Sequence, residues 1–171
     1  MVAMKTVYVG VGTNLGNKFE NIQQAIKELK LVGVKVLQTS NIFESPAWGF
    51  ESTSSFYNIV LEIQTTLGPF QLLVELKGIE LKMGRPPKVG IGYSSRLIDI
   101  DIIDYHGQEI QMQDLTIPHL HLAARNFVAL PLLAIHPNYL LPTTQKKLSD
   151  SLKFDKASKG KFINMVPLIN L

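Results

Sequence analysis

Two carboxylates stand two residues apart inside an apolar run, Arg96-Leu97-Ile98-Asp99-Ile100-Asp101-Ile102-Ile103. Five of those eight residues are leucine or isoleucine, so the run reads as a buried strand. On a strand, residues i and i+2 face the same side, ~7 Å apart at the α-carbons. Two anions placed like that repel each other and lose hydration, so they need a positive partner. A divalent cation carrying a phosphorylated ligand is the natural candidate, because Mg²⁺ prefers oxygen and takes only one or two carboxylates. The alternative is a solvent-facing pair on an edge strand, and the pair alone does not choose between the two.

Other chemistry-bearing residues lie at suggestive places. Arg96 comes three residues before Asp99, and Arg85 opens a long loop, Gly84 to Ser95. A guanidinium suits phosphate because its planar fork contacts two oxygens at once. Taken singly, each arginine also reads as a surface charge. Gly84, Gly90 and Gly92 give the loop hinges, which makes it a candidate lid. Asn58 follows Phe56 by two residues in a β-rich run, so both face one side. An inward amide needs a hydrogen-bond partner, whereas Phe56 and Phe127 fit plain core packing equally well. A lone histidine is more often a structural hydrogen-bonder than a ligand, and the four here do not read as a metal site.

These residues need a scaffold. Thr6 to Val11 alternates as a first strand, and Asn17 is a plausible N-cap for a helix from Lys18 to Leu31 that Gly33 ends. Val34 to Glu44 reads as one strand and Phe56 to Thr66 as the next. Pro69 opens a second helix, to about Met83, with Phe70, Leu73, Leu76, Ile79 and Leu81 expected mostly inward. The aspartate strand follows, Leu97 to Tyr105, and Glu109 to Gln113 is expected to pair back as a short hairpin. Asn126 to His136 reads as a short helix despite Pro131. The order β-α-β-β-α-β predicts an α+β, ferredoxin-like antiparallel sheet with helices on its faces and a C-terminal helical extension. The expected organisation is one domain over residues 1–171, with its core at about 5–150 and a tail, 151–171, of no evident role.

Composition narrows the classes further. With 171 residues, 46% hydrophobic and 18% charged, the chain is long and apolar enough for one folded core. It has no cysteine, which excludes disulfides, thiolate nucleophiles and cysteine-ligated zinc and agrees with a cytoplasmic setting. Met1-Val2-Ala3-Met4-Lys5 lacks the apolar run of a signal peptide, and no stretch approaches the ~20 apolar residues of a membrane span. The net charge of +3 suits an anionic ligand but is equally ordinary scatter.

The motifs together resemble the 6-hydroxymethyl-7,8-dihydropterin pyrophosphokinase family. They are Gly12-Thr13-Asn14-Leu15-Gly16-Asn17; Phe43-Glu44-Ser45-Pro46 with Phe56-Tyr57-Asn58; Ile79-Glu80-Leu81-Lys82-Met83-Gly84-Arg85; Arg96 to Asp101; and Thr116-Ile117-Pro118-His119 with Arg125 and Phe127. The resemblance spans about Thr6 to Pro142. It implies transfer of pyrophosphate from ATP to the pterin hydroxymethyl group, in folate synthesis, with two Mg²⁺ held by Asp99 and Asp101 and the transferring group steadied by Arg85 and Arg96. It assigns Ser45, Pro46, Trp48, Phe56, Asn58, Tyr93 and Phe127 to the pterin. Lys77, Glu80, Arg85, Lys88, Arg96, Ile102, Thr116, His119 and Arg125 go to ATP. It leaves room for other folate-pathway enzymes as partners and implies neither nucleic acid nor membrane.

Some positions depart from the family pattern. Lys77 stands where some members have glutamine, Asp114 where some have arginine, and Leu120 where some have an aromatic residue. Tyr93 replaces a lid tryptophan, and Lys88 is the one basic residue between Arg85 and Arg96. These changes bear on affinity and on the loop rather than on the reaction. Two other readings compete: a catalytically inert pterin- or nucleotide-binding relative, and an RNA-binding module on the same fold. The second needs exposed aromatic residues on the central strands, where the first strand offers only Tyr8.

Overall fold

The computed structural model describes residues 2–86, 90, 92–154 and 159–163. Strand β1 (Lys5–Thr13) is central, antiparallel to β4 (Phe56–Thr65) on one side and to β5 (Asp99–Tyr105) on the other. β2 (Lys35–Thr39) and β3 (Ile42–Ser45) both pair with the far side of β4. The single strand expected over Val34 to Glu44 is therefore two. Ser40 makes the break: its hydroxyl takes the Val60 N–H (2.9 Å) in place of a main-chain carbonyl.

Helix α1 (Lys18–Leu31) begins where the Asn17 side chain accepts the Glu20 N–H (3.3 Å), and Gly33 beyond its end has φ +79°. Helix α2 (Pro69–Lys82) starts with Pro69, and the Gln71 side chain accepts the Gly68 N–H (3.1 Å). The alternation of β1 sends Val7, Val9 and Val11 to the side covered by α1 and α2, where Ile22, Ile26, Leu29, Leu72 and Leu76 bury them. The inward stripe of α2 is Leu72, Leu76, Ile79 and the partly buried Met83, spaced i, i+4, i+7, i+11. Of the five residues expected mostly inward, Leu73, Leu76 and Ile79 pack on the core, while Phe70 and Leu81 are 44% and 55% exposed.

The opposite side of the sheet is covered over only part of its length. Helix α3 (Asn126–Ile135) sets Ala129 and Leu132 on Tyr8, Val60 and Ile103, with Leu148 of α4 (Leu148–Ser151) behind. Beyond that patch the same side of β1 carries Gly10 and Gly12, beside Asp101 and Asp99 of β5. β1 thus has side chains to pack under the helix and none where the groove lies.

Two further strands, β6 (Ile110–Gln111) and β7 (Thr116–Ile117), pair with each other, so the expected hairpin turns forward rather than back onto β5. Nor is the C-terminal extension helical throughout: β8 (Lys161–Ile163) returns to the sheet and pairs with β3. Among the described residues no helix is long and apolar enough to cross a membrane.

Candidate active site

β5 is an edge strand, and its outer edge is closed by side chains of α2. Glu80 accepts the Ile100 N–H (2.6 Å), and Lys77 donates to the Ile100 carbonyl (3.3 Å). Glu80 is buried and also takes Lys77 Nζ (2.9 Å) and Arg85 Nη1 (2.8 Å). Its place in the site is as a brace between helix and strand.

Asp99 sits between two arginines. Arg85 Nη1 lies 2.6 Å from Oδ1, and Arg96 Nη1 lies 2.7 Å from Oδ2. Burial works against the Asp99 charge, but Arg96, Arg85 and Lys77 outweigh it and hold the carboxyl below the usual aspartate value. Burial likewise opposes the charges of Lys77 and Arg85, yet Asp101 and Glu80 hold the ammonium above its ordinary value, and Asp99 and Glu80 do the same for the guanidinium. Glu80 shows the reverse balance: burial pushes its carboxyl up despite Lys77 and the Ile100 N–H. Asp101 is more open, 3.5 Å from Lys77 Nζ. The positive partner that the paired aspartates require is therefore present as Lys77, Arg85 and Arg96, matched against Glu80, Asp99 and Asp101.

The segment carrying Arg96 is held to the turn after β1. Thr13 Oγ1 donates to the Leu97 carbonyl (2.5 Å), and Asn21 reaches Thr13 Oγ1 (3.0 Å) and the Leu15 carbonyl (2.8 Å). Asn14, buried, bonds the Arg96 main chain and donates to Ser95 Oγ (2.9 Å). The Gly12-to-Asn17 motif was legible in sequence, but this task was not, because it consists of contacts with residues some eighty positions away.

Next to the charges opens a cleft walled by Trp48, Phe50, Phe56 and Phe127. Asn58 forms its polar edge, donating to Ser45 Oγ (3.0 Å) and the Phe43 carbonyl (3.3 Å), while Pro46 also lines it. All seven residues assigned to the pterin line this one cleft, and Phe50 joins them without having been singled out. The Tyr93 ring lies edge-on to Trp48 (5.1 Å between centroids). It also packs over Gly49, where a β-carbon would stand 2.8 Å from Cδ2.

A second, adjoining cleft is lined by Gly10, Asp101, Ile103, His119 and Val128, and shares Gly12, Asn58, Asp99, Arg125 and Phe127 with the first. His119 is brought there by its N–H bond to the Ile103 carbonyl (2.8 Å). Burial, helped by Arg125, holds its imidazole below the usual histidine value against the pull of Asp101. Arg125 stands between the halves, donating to the Tyr93 hydroxyl (2.7 Å) with its guanidinium 4.5 Å from the Trp48 ring.

Two ATP assignments fall elsewhere. The Ile102 side chain is buried in the core beneath α1 and α2, not in the groove. Thr116 lines a neighbouring cavity with His119 and Leu120. Lys88 lies outside the described residues. Among the described residues no third acidic or histidine side chain joins the aspartates as a protein-only metal cage.

The site is thus a groove in an α+β domain, charged at one end and aromatic at the other. The chain belongs to the 7,8-dihydro-6-hydroxymethylpterin-pyrophosphokinase (HPPK) family, whose sequence model matches residues 8–137. It is 39% identical over 147 residues to the 2-amino-4-hydroxy-6-hydroxymethyldihydropteridine pyrophosphokinase of Aquifex aeolicus, covering 86% of this chain and 90% of that one. It is 41% identical over 140 residues to the folic acid synthesis protein fol1 of Pneumocystis carinii, covering 82% of this chain but only 19% of that much longer protein. Among solved structures, an HPPK-DHPS in complex with substrates superposes with a TM-score of 0.69 at 16% identity, covering 86% of this chain and 42% of that one. At that identity the likeness concerns the fold alone.

Proposed function

We propose that this chain transfers the pyrophosphoryl group of ATP to the hydroxymethyl oxygen of 6-hydroxymethyl-7,8-dihydropterin, giving AMP and the pterin diphosphate for folate synthesis. Membership of the family makes the chain a pyrophosphokinase. The observation that supports placing the reaction in this groove is Asp99. It lines both the aromatic cleft and the adjoining one, and it is gripped by Arg85 and Arg96.

The hydroxymethyl oxygen attacks the β-phosphorus in line and AMP departs. Such a transfer asks the protein for alignment and positive charge more than for covalent chemistry. Trp48, Phe56 and Phe127 sandwich the flat ring, while Asn58 and Ser45 read its polar edge. Arg85 and Arg96 pass from Asp99 to the phosphate oxygens when the triphosphate enters. Lys77, His119 and Arg125 border the nucleotide side and Glu80 braces it. Thr116 serves from the adjoining cavity, Ile102 only through its backbone, and Lys88 remains an expectation from the sequence.

The donor set fits magnesium. Asp99 and Asp101 stand one pleat repeat apart on one strand face, and Mg²⁺ is commonly held by one or two carboxylates with phosphates supplying the rest. Two ions held there would neutralise charge on the triphosphate. The order β1-α1-β2-β3-β4-α2-β5, with β2 and β3 together in the place of one strand, and the placing of β1 between β4 and β5 support the ferredoxin-like description. A cytoplasmic setting agrees with a chain that has no cysteine. Other folate-pathway enzymes are its natural partners. Tyr8, which an RNA-binding reading needs exposed, is buried beneath α3.

The test is incubation with ATP, Mg²⁺ and the hydroxymethyl dihydropterin. Release of AMP with formation of the pterin diphosphate is the expected result. Binding of both substrates without AMP would make the chain an inert relative instead.

A further inference from the structure

The family match ends at residue 137, yet the chain returns to the sheet more than twenty residues later as β8. β8 pairs antiparallel with β3, with Ile42 opposite Ile163, Phe43 opposite Phe162 and Glu44 opposite Lys161. Without β8, the four-residue β3 would be an open edge, and short edge strands hold register weakly.

The pairing is built for close approach. A β-carbon on Gly160 would collide with the Phe43 ring and stand 2.6 Å from the Glu44 carbonyl oxygen, so only glycine lets the chain come this near. The Phe162 ring meets Phe43 edge-on, with centroids 5.1 Å apart. The Lys161 ammonium lies 3.7 Å from Glu44 Oε2.

What β8 grips leads directly to the acceptor half of the groove. The Phe43 carbonyl accepts from Asn58 Nδ2 (3.3 Å), and Ser45, two residues on, takes the same amide (3.0 Å). Glu44 Oε1 accepts from Ser55 Oγ (2.7 Å), and Ser55 precedes Phe56. Both ends of the loop that lines the aromatic cleft are thus anchored on the strand that β8 covers. In register, the sheet carries one continuous row of opposed residues: Phe162, Phe43, Asn58, Gly12, Asp99. Directly opposed residues put their side chains on one face, so the row ends at the carboxylate gripped by the arginines.

We propose that the C-terminal strand is a positioning element for the flat acceptor: by covering β3 it holds Asn58 and Ser45 in place and sets acceptor affinity without touching the ligand. This rests on the pterin reading of the cleft. Gly160 and Phe162 are positioning residues; neither meets substrate.

The full-length chain and the variants Gly160→Val, Phe162→Ala and Phe162→Tyr separate this role from bulk stability. Pterin affinity is read by direct fluorescence titration with Mg²⁺ and a non-hydrolysable ATP analogue, alongside nucleotide affinity and Tm. Gly160→Val should weaken pterin binding about tenfold, a factor equivalent to about 1.4 kcal/mol, while nucleotide affinity stays within about twofold. Phe162→Ala should weaken it less, and Phe162→Tyr, which keeps the ring, should restore it. Unchanged pterin affinity in Gly160→Val, or equal losses for both ligands, overturns the proposal. A wild-type chain that binds the pterin but releases no AMP would sink the pyrophosphokinase reading while leaving the strand comparison intact.

Discussion

Asn14 and Arg96 hold each other by two hydrogen bonds. The Asn14 N–H donates to the Arg96 carbonyl (3.2 Å), and the Arg96 N–H donates to Asn14 Oδ1 (2.8 Å). The turn after β1 is thereby tied to the residue that supplies one of the two arginines on Asp99.

Asn14→Ala should therefore damage catalysis beyond its cost to the fold. Losing the acceptor strands the Arg96 N–H, a penalty of about 1–3 kcal/mol when such a group is buried. Arg96 also loses its placing, and a misplacement of about 1 Å can cost about a hundredfold in rate. Steady-state kinetics beside a thermal melt checks this. Unchanged kcat in a destabilised variant would reduce the clasp to a structural role.

Asp101→Ala and Asp99→Ala should each lower kcat by about a hundredfold or more, the scale seen when one preorganised electrostatic group is removed. Circular dichroism should show both folded. Asp99→Ala leaves Arg96 without its carboxylate and Arg85 with Glu80 alone, so its Mg²⁺ requirement should shift and its affinity for inorganic triphosphate should rise. Full activity in either variant would remove the carboxylates from the metal role.

Trp48→Ala should raise the KM for the pterin by about tenfold, close to 1.4 kcal/mol, and leave the KM for ATP nearly unchanged. Trp48 meets Tyr93, His121, Phe127 and the Arg125 guanidinium, so its loss opens the aromatic wall. Parallel initial-rate series in each substrate would show the split. An effect confined to ATP would misplace the flat ligand.

Acid stability offers a test away from the site. Lys82 Nζ lies 2.6 Å from Glu28 Oε2, tying α2 to α1. The hydrogen bond from Lys82 holds the Glu28 carboxyl below the usual glutamate value, against burial and with help from Gln24. A folded value below the unfolded one means stability that is fully present above about pH 4.3. It fades as pH falls through the lowered folded value. Wild type should therefore exceed Glu28→Gln in Tm at pH 7, with the gap closing in acid. A gap independent of pH would dismiss the ion pair as its source.

The parts of the molecule that were legible in the sequence are those set by local pattern. Asn17 as an N-cap, the alternation of β1 and the Asp-Ile-Asp repeat each carry their structure in neighbouring residues. Residues brought together across the chain were harder to read. Asp99, Phe56, Asn58 and Phe127 converge as the family motifs imply, yet composition around any one of them gives no sign of the others. The stripe of α2 is legible in Leu73, Leu76 and Ile79 but not in Phe70 and Leu81, because its apolar residues outnumber the positions that face the core. The split at Ser40 depends on a side chain replacing a main-chain acceptor, for which a serine is no distinctive signal. β8 follows a polar tail, and its partner, β3, lies over a hundred residues earlier.

The floor of the groove is made of backbone. Gly10 and Gly12 leave nothing to trim, and a single methyl at Gly12 would stand 3.0 Å from Asn58 Oδ1. Variation from below can only shrink the chamber or disturb the amide, so that side admits almost no adjustment. The loops above, with Trp48, Phe50 and Tyr93, have room to change size and polarity. Substitutions that reshape the groove without disturbing the sheet therefore belong to its roof rather than its floor.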